Sequence, residues 1–446
     1  MKSHRLVLLL FALPLLLLCS QKPATDLHLI VISMDGLSPE YYLRAEQHSL
    51  ELPTLREFMQ RGVYSDGMET VYPTLTYPAH ASIATGVLPR EHGIYANSYY
   101  FDGEKQPVVS GRHYRSTPIW RMFRRNGLST AAVVWPVTVE EPIDWLIPEV
   151  WWDDDKGNDA VRLQKQAGVS TPGLIDSLRA YIGTPLEKYF ESDTVKTDAA
   201  IYLLKKHRPN LLLLHYSHFD YFQHLYGKFS PEANATAEMQ DRQIGRIVQA
   251  TKDAGIFEKT VFMVVSDHGH ADISMQINPG VLLAQAGLTR GQNGSSDWRA
   301  MVIPSGGSCS VILRQHGDTA TEAKVVEIAG QLAQHPGIEQ VFYRQQIDSL
   351  GGDPNAVVMF EAKPGYAFGG ELQGELTVPA SSKSTHGYLP DKPEMLAGFV
   401  AAGPGLVQNH NLGRISALDL FATIGALFNL REAVESRKMI EKMLQW

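Results

Sequence analysis

Residues 27–34 read LHLIVISM and run straight into Asp35-Gly36. A strand covered on one face alternates apolar and polar residues. A nearly continuous apolar run must be covered on both faces, as the strands of a parallel sheet are. The pattern recurs at 131–135 (AAVVW, halted by Pro136), at 211–216 (LLLLHY) and at 260–266 (TVFMVVS). Helical patterns lie between them. One runs from about Leu52 to Arg61. A second, at 194–207, is broken by Pro209-Asn210, and a third, at 231–253, opens on Ser230-Pro231. A further strand at 395–403 and a helix at 416–428 end the series. Strand and helix alternating in this way predict an α/β fold with a doubly wound, mostly parallel sheet and helices on both faces.

One stretch departs from that rhythm. From 297 to 379 the order is short strand (SVIL, 310–313), helix (319–334), strand (IEQVFY, 338–343), strand (AVVMFEA, 356–362), with Gly and Pro dense around them. This predicts a small inserted α+β lobe. The expected organisation is a leader at 1–19, a main domain at 26–296 and 380–446, and the lobe at 297–379.

The leader is basic at Lys2, His4 and Arg5, then apolar for residues 6–18. A bilayer-spanning helix needs about 20 such residues, so a secretory signal fits the run better. Cys19 ends it in LLLLC, which looks like a lipoprotein box, although Leu18 stands where a small residue is expected. The expectation is export across the inner membrane to the periplasm, either soluble or lipid-anchored at Cys19. Cys19 and Cys309 are the only cysteines, so a metal must be held by His and carboxylate. The net charge of −8 argues against a macromolecular nucleic acid as partner.

Sites in open α/β sheets form at the carboxyl ends of the strands. Asp35 follows the first strand, Asp220 and His224 follow LLLLHY, and Asp267 and His268 follow TVFMVVS. His386, in STHGY, precedes the last strand. Each motif alone also suits a capped turn, a solvated helix face or a surface histidine. Together they put three carboxylates and three imidazoles on one edge, a ligand set for two cations such as Zn²⁺. Asp220 and His224 are four apart, which places both on one face of a helical turn. In VYPTLTYPAHASIATG (71–86), Pro78 marks a helix start and sets Thr76 at its N-terminus, where exposed N–H groups favour negative charge. Thr76 is there a candidate nucleophile or an N-cap, and Thr74 is its rival.

The run Pro73-Thr-Leu-Thr-Tyr-Pro-Ala-His80, then Thr85-Gly86, His92-Gly93-Ile94 and Asn97, resembles the nucleotide pyrophosphatase/phosphodiesterase family of the alkaline phosphatase superfamily. So do Asp220-x-x-x-His224-x-x-Gly227, Ser266-Asp267-His268-Gly269 and His386-Gly387, in the same order. The resemblance implies an alkaline phosphatase-like fold with two zinc ions. Asp220, His224 and His386 would hold one; Asp35, Asp267, His268 and the Thr76 oxygen would hold the other. It implies Thr76 as nucleophile, a covalent threonine intermediate, and Asn97 as a donor to a phosphate oxygen. Gln223 and Ala79 depart from the family pattern, which has Gly and Asn there.

The expected substrate is a small phosphodiester or nucleotide. Tyr77 is the candidate substrate contact beside Thr76. Trp135, Trp151 and Trp152 could stack a base or simply pack. A monoester dianion would call for a cation in the site, and Lys383 is the one basic residue near a ligand motif. A phosphomonoesterase, or a phosphonate or lipid-headgroup hydrolase on the same metal core, is the alternative.

Overall fold

The computed structural model of the chain describes residues 26–101, 104–150, 159–183, 192–289, 298–436 and 438–445. The leader with Cys19, and Trp151 and Trp152, lie outside them.

An eight-stranded sheet forms the centre. Its order is His410–Asn411, Gly62–Tyr64, Phe399–Ala402, Thr260–Val265, His28–Met34, Leu211–Tyr216, Thr130–Val133, Trp145–Ile147. The last five are mutually parallel, and Phe399–Ala402 runs antiparallel to both its neighbours. The apolar runs are buried on both faces, as their composition requires. In His28–Met34, Leu29 and Val31 enter one core, and Ile30, Ile32 and Met34 enter the other. Val261, Met263 and Val265 alternate with Phe262 and Val264 in the same way. Helices Pro53–Arg61, Asp193–His207 and Pro231–Asp253 contribute to the second core, and helix Asp419–Leu427 to the first. The strand order changes direction around His28–Met34, so the carboxyl ends of that strand, Leu211–Tyr216 and Thr260–Val265 lie side by side.

The strand expected at 395–403 is shorter than its composition suggests. Residues Pro393–Met395 form a 3-10 turn and only Phe399–Ala402 joins the sheet. The reason is local: Gly398 donates its N–H to Leu37 O at 2.6 Å and Ala397 bridges Met68, which draws the run away from the ladder.

Between residues 298 and 362 an antiparallel sheet runs Ala300–Ser305, Ser308–Leu313, Ala356–Ala362, Ile338–Tyr343, with helices Thr319–Leu332 and Arg344–Leu350 beside it. Its core includes Val302, Cys309, Val311 and Phe360. The strand Ala271–Ile277 lies before this region in the chain but pairs with Gly365–Phe368 and Thr377–Pro379, so hydrogen bonding crosses residue 297. Among the described residues no helix is long and apolar enough to cross a membrane.

Candidate metal centre

The strand His28–Met34 ends with Asp35, whose N–H donates to Tyr216 O at 3.0 Å. Gly36 then turns the chain at φ +74°, and a Cβ there would stand 2.9 Å from Gln223 Nε2 and from the His270 ring. Glycine is what lets three strand ends approach. Gly36 N–H donates to Asp267 Oδ1 at 3.2 Å, and His268 N–H and Ser266 Oγ donate to the same oxygen at 3.1 and 3.3 Å. Three donors on Oδ1 fix the carboxylate and leave Oδ2 facing away from them.

Three imidazoles are oriented by one device. His224 Nδ1 lies 2.9 Å from Ser384 O, His386 Nδ1 2.8 Å from Thr74 O, and His268 Nδ1 3.2 Å from Gly269 O. A carbonyl only accepts, so Nδ1 carries the proton in each ring and Nε2 presents its lone pair. Ligand atoms within 4.8 Å of one another form three overlapping groups: Asp35, Asp267 and His268; Asp220, His224 and His386; and Asp220, His268 and His270. In the first, His268 Nε2 is 3.5 Å from Asp35 Oδ1 and 3.3 Å from Asp267 Oδ2. In the second, His224 Nε2 and His386 Nε2 are 3.4 and 3.8 Å from Asp220 Oδ1. The His268 and His386 rings stack at 3.6 Å between centroids, which joins the clusters. All six residues that the strand-end reading selected are therefore together.

The electrostatics suit cations. Asp35 Oδ1, Asp267 Oδ2 and His268 Nε2 are all buried and none has a hydrogen-bond partner. Unsatisfied buried polar atoms are costly, and three that converge fit a bound ion. Burial, with repulsion from Asp267 and Asp220, pushes the Asp35 carboxyl well above its ordinary range. Burial opposes ionisation of Asp220 too, but His224, His270 and His386 outweigh it and hold this carboxyl low. Burial drives His268 and His386 well below the ordinary imidazole value, and neighbouring imidazoles add to the shift. Neutral rings are the form that ligates metal.

Thr76 is the first residue of helix Thr76–Thr85. His80 Nδ1 donates to Thr76 O at 2.7 Å and lies 3.7 Å from Asp267 Oδ2, which ties this helix terminus to the first cluster. Asn97 Oδ1 accepts the Tyr77 N–H at 3.0 Å, an arrangement that turns the amide NH₂ away from the helix as a donor. Thr74 is fully buried. Its hydroxyl donates to Tyr388 O at 3.0 Å and accepts the Gly387 N–H at 2.9 Å. Its side chain is spent on holding the His386 loop.

Other expected contacts fall elsewhere. Tyr77 is 1 % exposed within the core and hydrogen-bonds the buried Glu149, so its ring has no open face for a ligand. Trp135 is equally buried, edge-on to His80 at 5.0 Å. Lys383 is exposed, and it is its backbone that touches the site, donating to His224 O at 2.8 Å. Gln223, a departure from the family pattern, staples the turn: Nε2 donates to Gly36 O at 3.0 Å and Oε1 accepts from Tyr41 at 3.2 Å. Ala79 lies buried in the helix.

Two histidines escaped the sequence reading. His270 is fully buried, with Nε2 2.6 Å from Asp220 Oδ1 and Nδ1 3.0 Å from Ser384 Oγ. The signal was the second His of Asp-His-Gly-His. His215, the one polar residue of LLLLHY, lies 3.5 Å from Asp35 Oδ2 with neither ring nitrogen hydrogen-bonded.

Residues 29–389 match the family described as type I phosphodiesterase / nucleotide pyrophosphatase. Human ectonucleotide pyrophosphatase/phosphodiesterase family member 1 is 25% identical over 249 residues, 54% of this chain and 23% of that protein. A venom phosphodiesterase of Crotalus durissus collilineatus is 26% identical over 253 residues, 55% of this chain and 26% of that protein. The match thus spans about a quarter of each relative's length. Murine ectonucleotide pyrophosphatase/phosphodiesterase 5, solved as an inactive variant in complex with AMP, superposes with a TM-score of 0.65 at 19% identity. It covers 91% of this chain and 95% of that one. The human counterpart superposes at 0.64.

Proposed function

Since the chain belongs to the type I phosphodiesterase / nucleotide pyrophosphatase family, we propose that it is a zinc-dependent hydrolase of small phosphodiesters or nucleotide phosphoanhydrides that works through a covalent intermediate on Thr76. The observation that carries the proposal is the convergence of Asp35 Oδ1, Asp267 Oδ2 and His268 Nε2, buried and without partners. Those three, with the Thr76 oxygen, would hold one zinc ion, and Asp220, His224 and His386 the other. When bound, the two ions would neutralise phosphoryl charge and lower the pKa of an oxygen ligand.

The chain's own groups have separate tasks. Thr76 forms the Oγ–P bond as the P–O bond to the leaving group breaks in line, and the hydroxyl proton ends on the leaving oxygen; water then gives its hydroxyl to phosphorus and its proton to Oγ, which cleaves the Oγ–P bond and restores the hydroxyl. The helix terminus favours negative charge at that point. Asn97, its oxygen engaged by the Tyr77 N–H, turns its amide donor to a non-bridging oxygen. The backbone carbonyls of Ser384, Thr74 and Gly269 keep the imidazole lone pairs aimed inward.

A diester is favoured over a monoester dianion. Among the described residues the ion pairs of Asp35, Asp220 and Asp267 are all with imidazoles, and no Lys or Arg joins them. That AMP is bound in a protein of this fold agrees with a nucleotide substrate. The leader at 1–19 would carry the enzyme across the inner membrane to the periplasm, with Cys19 the residue to test for acylation. The test is turnover of bis-p-nitrophenyl phosphate against p-nitrophenyl phosphate on one metal-analysed preparation, with and without chelator. Diester preference abolished by chelation is expected. Monoester preference, or activity indifferent to chelator and metal, would overturn the proposal.

A further inference from the structure

The two ligand clusters differ in how they meet solvent. In the first, the side chains of Asp35, Asp267 and His268 are at most 5 % exposed. In the second, Asp220 is 18 % and His224 27 % exposed. The site therefore opens to solvent on the side of Asp220 and His224. Both stand on helix His218–Tyr226, so the outer surface of that helix forms a rim of the opening.

That rim is apolar. Tyr221 and Leu225 each follow a ligand by one residue. They lie about 100° round the helix from the ligands and one turn apart. Both are exposed, as is Tyr226. Phe222 joins them: its ring stacks on Tyr226 at 5.9 Å and meets Tyr221 edge-on at 5.6 Å. A strip of Tyr221, Leu225, Phe222 and Tyr226 thus runs outward from the ligand face, away from the buried Phe219 and Gln223.

Such clustering is unusual in this molecule. Among the described residues seven large apolar side chains are exposed, and three of them are on this nine-residue helix. The other four, Leu43, Tyr181, Val326 and Tyr343, sit singly on separate elements. Isolated exposed apolar groups are ordinary, whereas a contiguous patch marks a contact.

Position decides what that contact is. Four side chains on one short helix fall far below the roughly 20–30 residues a side of a stable protein interface. The nucleophile's helix is tied to the other cluster, since His80 Nδ1 donates to Thr76 O and lies 3.7 Å from Asp267 Oδ2. An in-line displacement puts the bond that breaks opposite Thr76, on the Asp220 side. The departing group is the part of the substrate nearest the strip.

We propose that Tyr221 and Leu225, backed by Phe222 and Tyr226, form a subsite for an aromatic or alkyl leaving group, so that diesters with an apolar departing alcohol are preferred. The alcohol departs with the Thr76 hydroxyl proton as its P–O bond breaks and the Oγ–P bond forms. Transfer of apolar surface from water onto the strip supplies the preference. The inference rests on the phosphodiesterase reading and deepens it by naming the class of leaving group.

The test uses methyl phenyl phosphate and methyl 2-naphthyl phosphate, which share the retained methyl ester and release alcohols of similar acidity. The ratio of kcat/KM for the naphthyl ester to that for the phenyl ester is compared between zinc-loaded wild type and Tyr221→Ser/Leu225→Ser. It should favour the naphthyl ester in wild type and fall about tenfold in the variant. A loss of zinc would slow both esters together and leave the ratio. If the double variant does not fold, Tyr221→Ser alone is read in the same way. An unchanged ratio overturns the inference, and a wild-type dimer that the variant loses in sedimentation would then assign the strip to a second copy. If wild type cleaves neither ester, the catalytic reading has failed and calorimetric titration of both proteins with methyl 2-naphthyl phosphate decides this one. Weaker binding by the variant supports the subsite, and equal or no binding overturns it.

Discussion

His270 Nε2 lies 2.6 Å from Asp220 Oδ1, the same oxygen that faces His224 Nε2 at 3.4 Å and His386 Nε2 at 3.8 Å. One carboxylate oxygen thus serves the ligand cluster and a supporting imidazole. Removing such outer partners lowers metal affinity by about 10–100-fold. His270→Ala should therefore weaken zinc binding at the Asp220 cluster alone, leaving one tightly held ion per chain. Chelator titration followed by elemental analysis reads this out. Two ions held as tightly as in wild type would reject the supporting role.

On the proposed mechanism the two threonines of Pro73-Thr-Leu-Thr should separate by function. Thr76→Ala should abolish the covalent adduct and lower turnover by orders of magnitude while zinc content stays near wild type. Thr76→Ser should keep measurable activity. Thr74→Ala strips a hydroxyl bonded to Tyr388 O and Gly387 N–H, so its cost is stability, about 1–3 kcal/mol. Mass spectrometry of quenched enzyme should map the adduct to Thr76. An adduct on Thr74 would reverse the roles.

Asp35 and Asp267 are buried side by side, and repulsion adds to burial in raising the Asp35 pKa. Without a cation this is unfavourable. Chelated wild type should melt below the zinc-loaded protein, since a ligand bound only by the folded state stabilises it, by about 2.7 kcal/mol at 100 times its Kd. Asp35→Asn removes one charge, so it should melt above chelated wild type and gain little from added zinc. Melting curves with and without Zn²⁺ check both halves; a variant that responds to zinc as wild type does would remove Asp35 from the ligand set.

Glu361, which belongs to neither ligand cluster, gives a pH dependence of its own. Burial pushes its pKa up to about 8, above an ordinary value of 4.5, against the opposing Leu389 N–H and Lys392. The folded state thus holds a proton that the unfolded state releases. Stability from this group is present below pH 4.5 and is lost as pH rises towards 8. Glu361→Gln should flatten the decline between pH 5 and pH 8, measured by denaturant unfolding. A decline equal to wild type would discard Glu361 as its source.

The legible part of the molecule was set by local periodicity. Leu211–Tyr216, Pro231–Asp253, Ile338–Tyr343 and Ala356–Ala362 lie where their sequence patterns put them. The strand Ala271–Ile277 went unread although it carries a signal: Ala, Ile, Met and Ile alternate with Asp, Ser and Gln, as in a strand covered on one face, while its partners lie about 90 or more positions away. The six strand-end ligand candidates could be selected because each follows or precedes a strong strand signal. His270 follows the same strand signal, in Asp267-His-Gly-His270, but what it does there depends on Asp220 reaching it from another element. Sequence also left Thr74 and Thr76 as rivals; packing of Thr74 against Tyr388 and Gly387 separates them. Tyr77 stands beside Thr76 in the chain, but the side chain of a helical neighbour points elsewhere, here into the core.

His386 comes after the antiparallel hairpins in the chain, whereas Asp35, Asp267 and His268 all come before them. During synthesis, which proceeds from the N-terminus, the cluster of Asp35, Asp267 and His268 has all three of its members once residue 268 has emerged. The Asp220 cluster lacks its third member until the chain has passed through the region that ends by packing Ser305 against Gly387. An ion at Asp220, His224 and His386 would then act as a late clasp, closing a long loop and securing the hairpins to the central sheet. The order of metal loading would be written into the order of the chain, with the clasp also the first to open when the hairpin region comes loose.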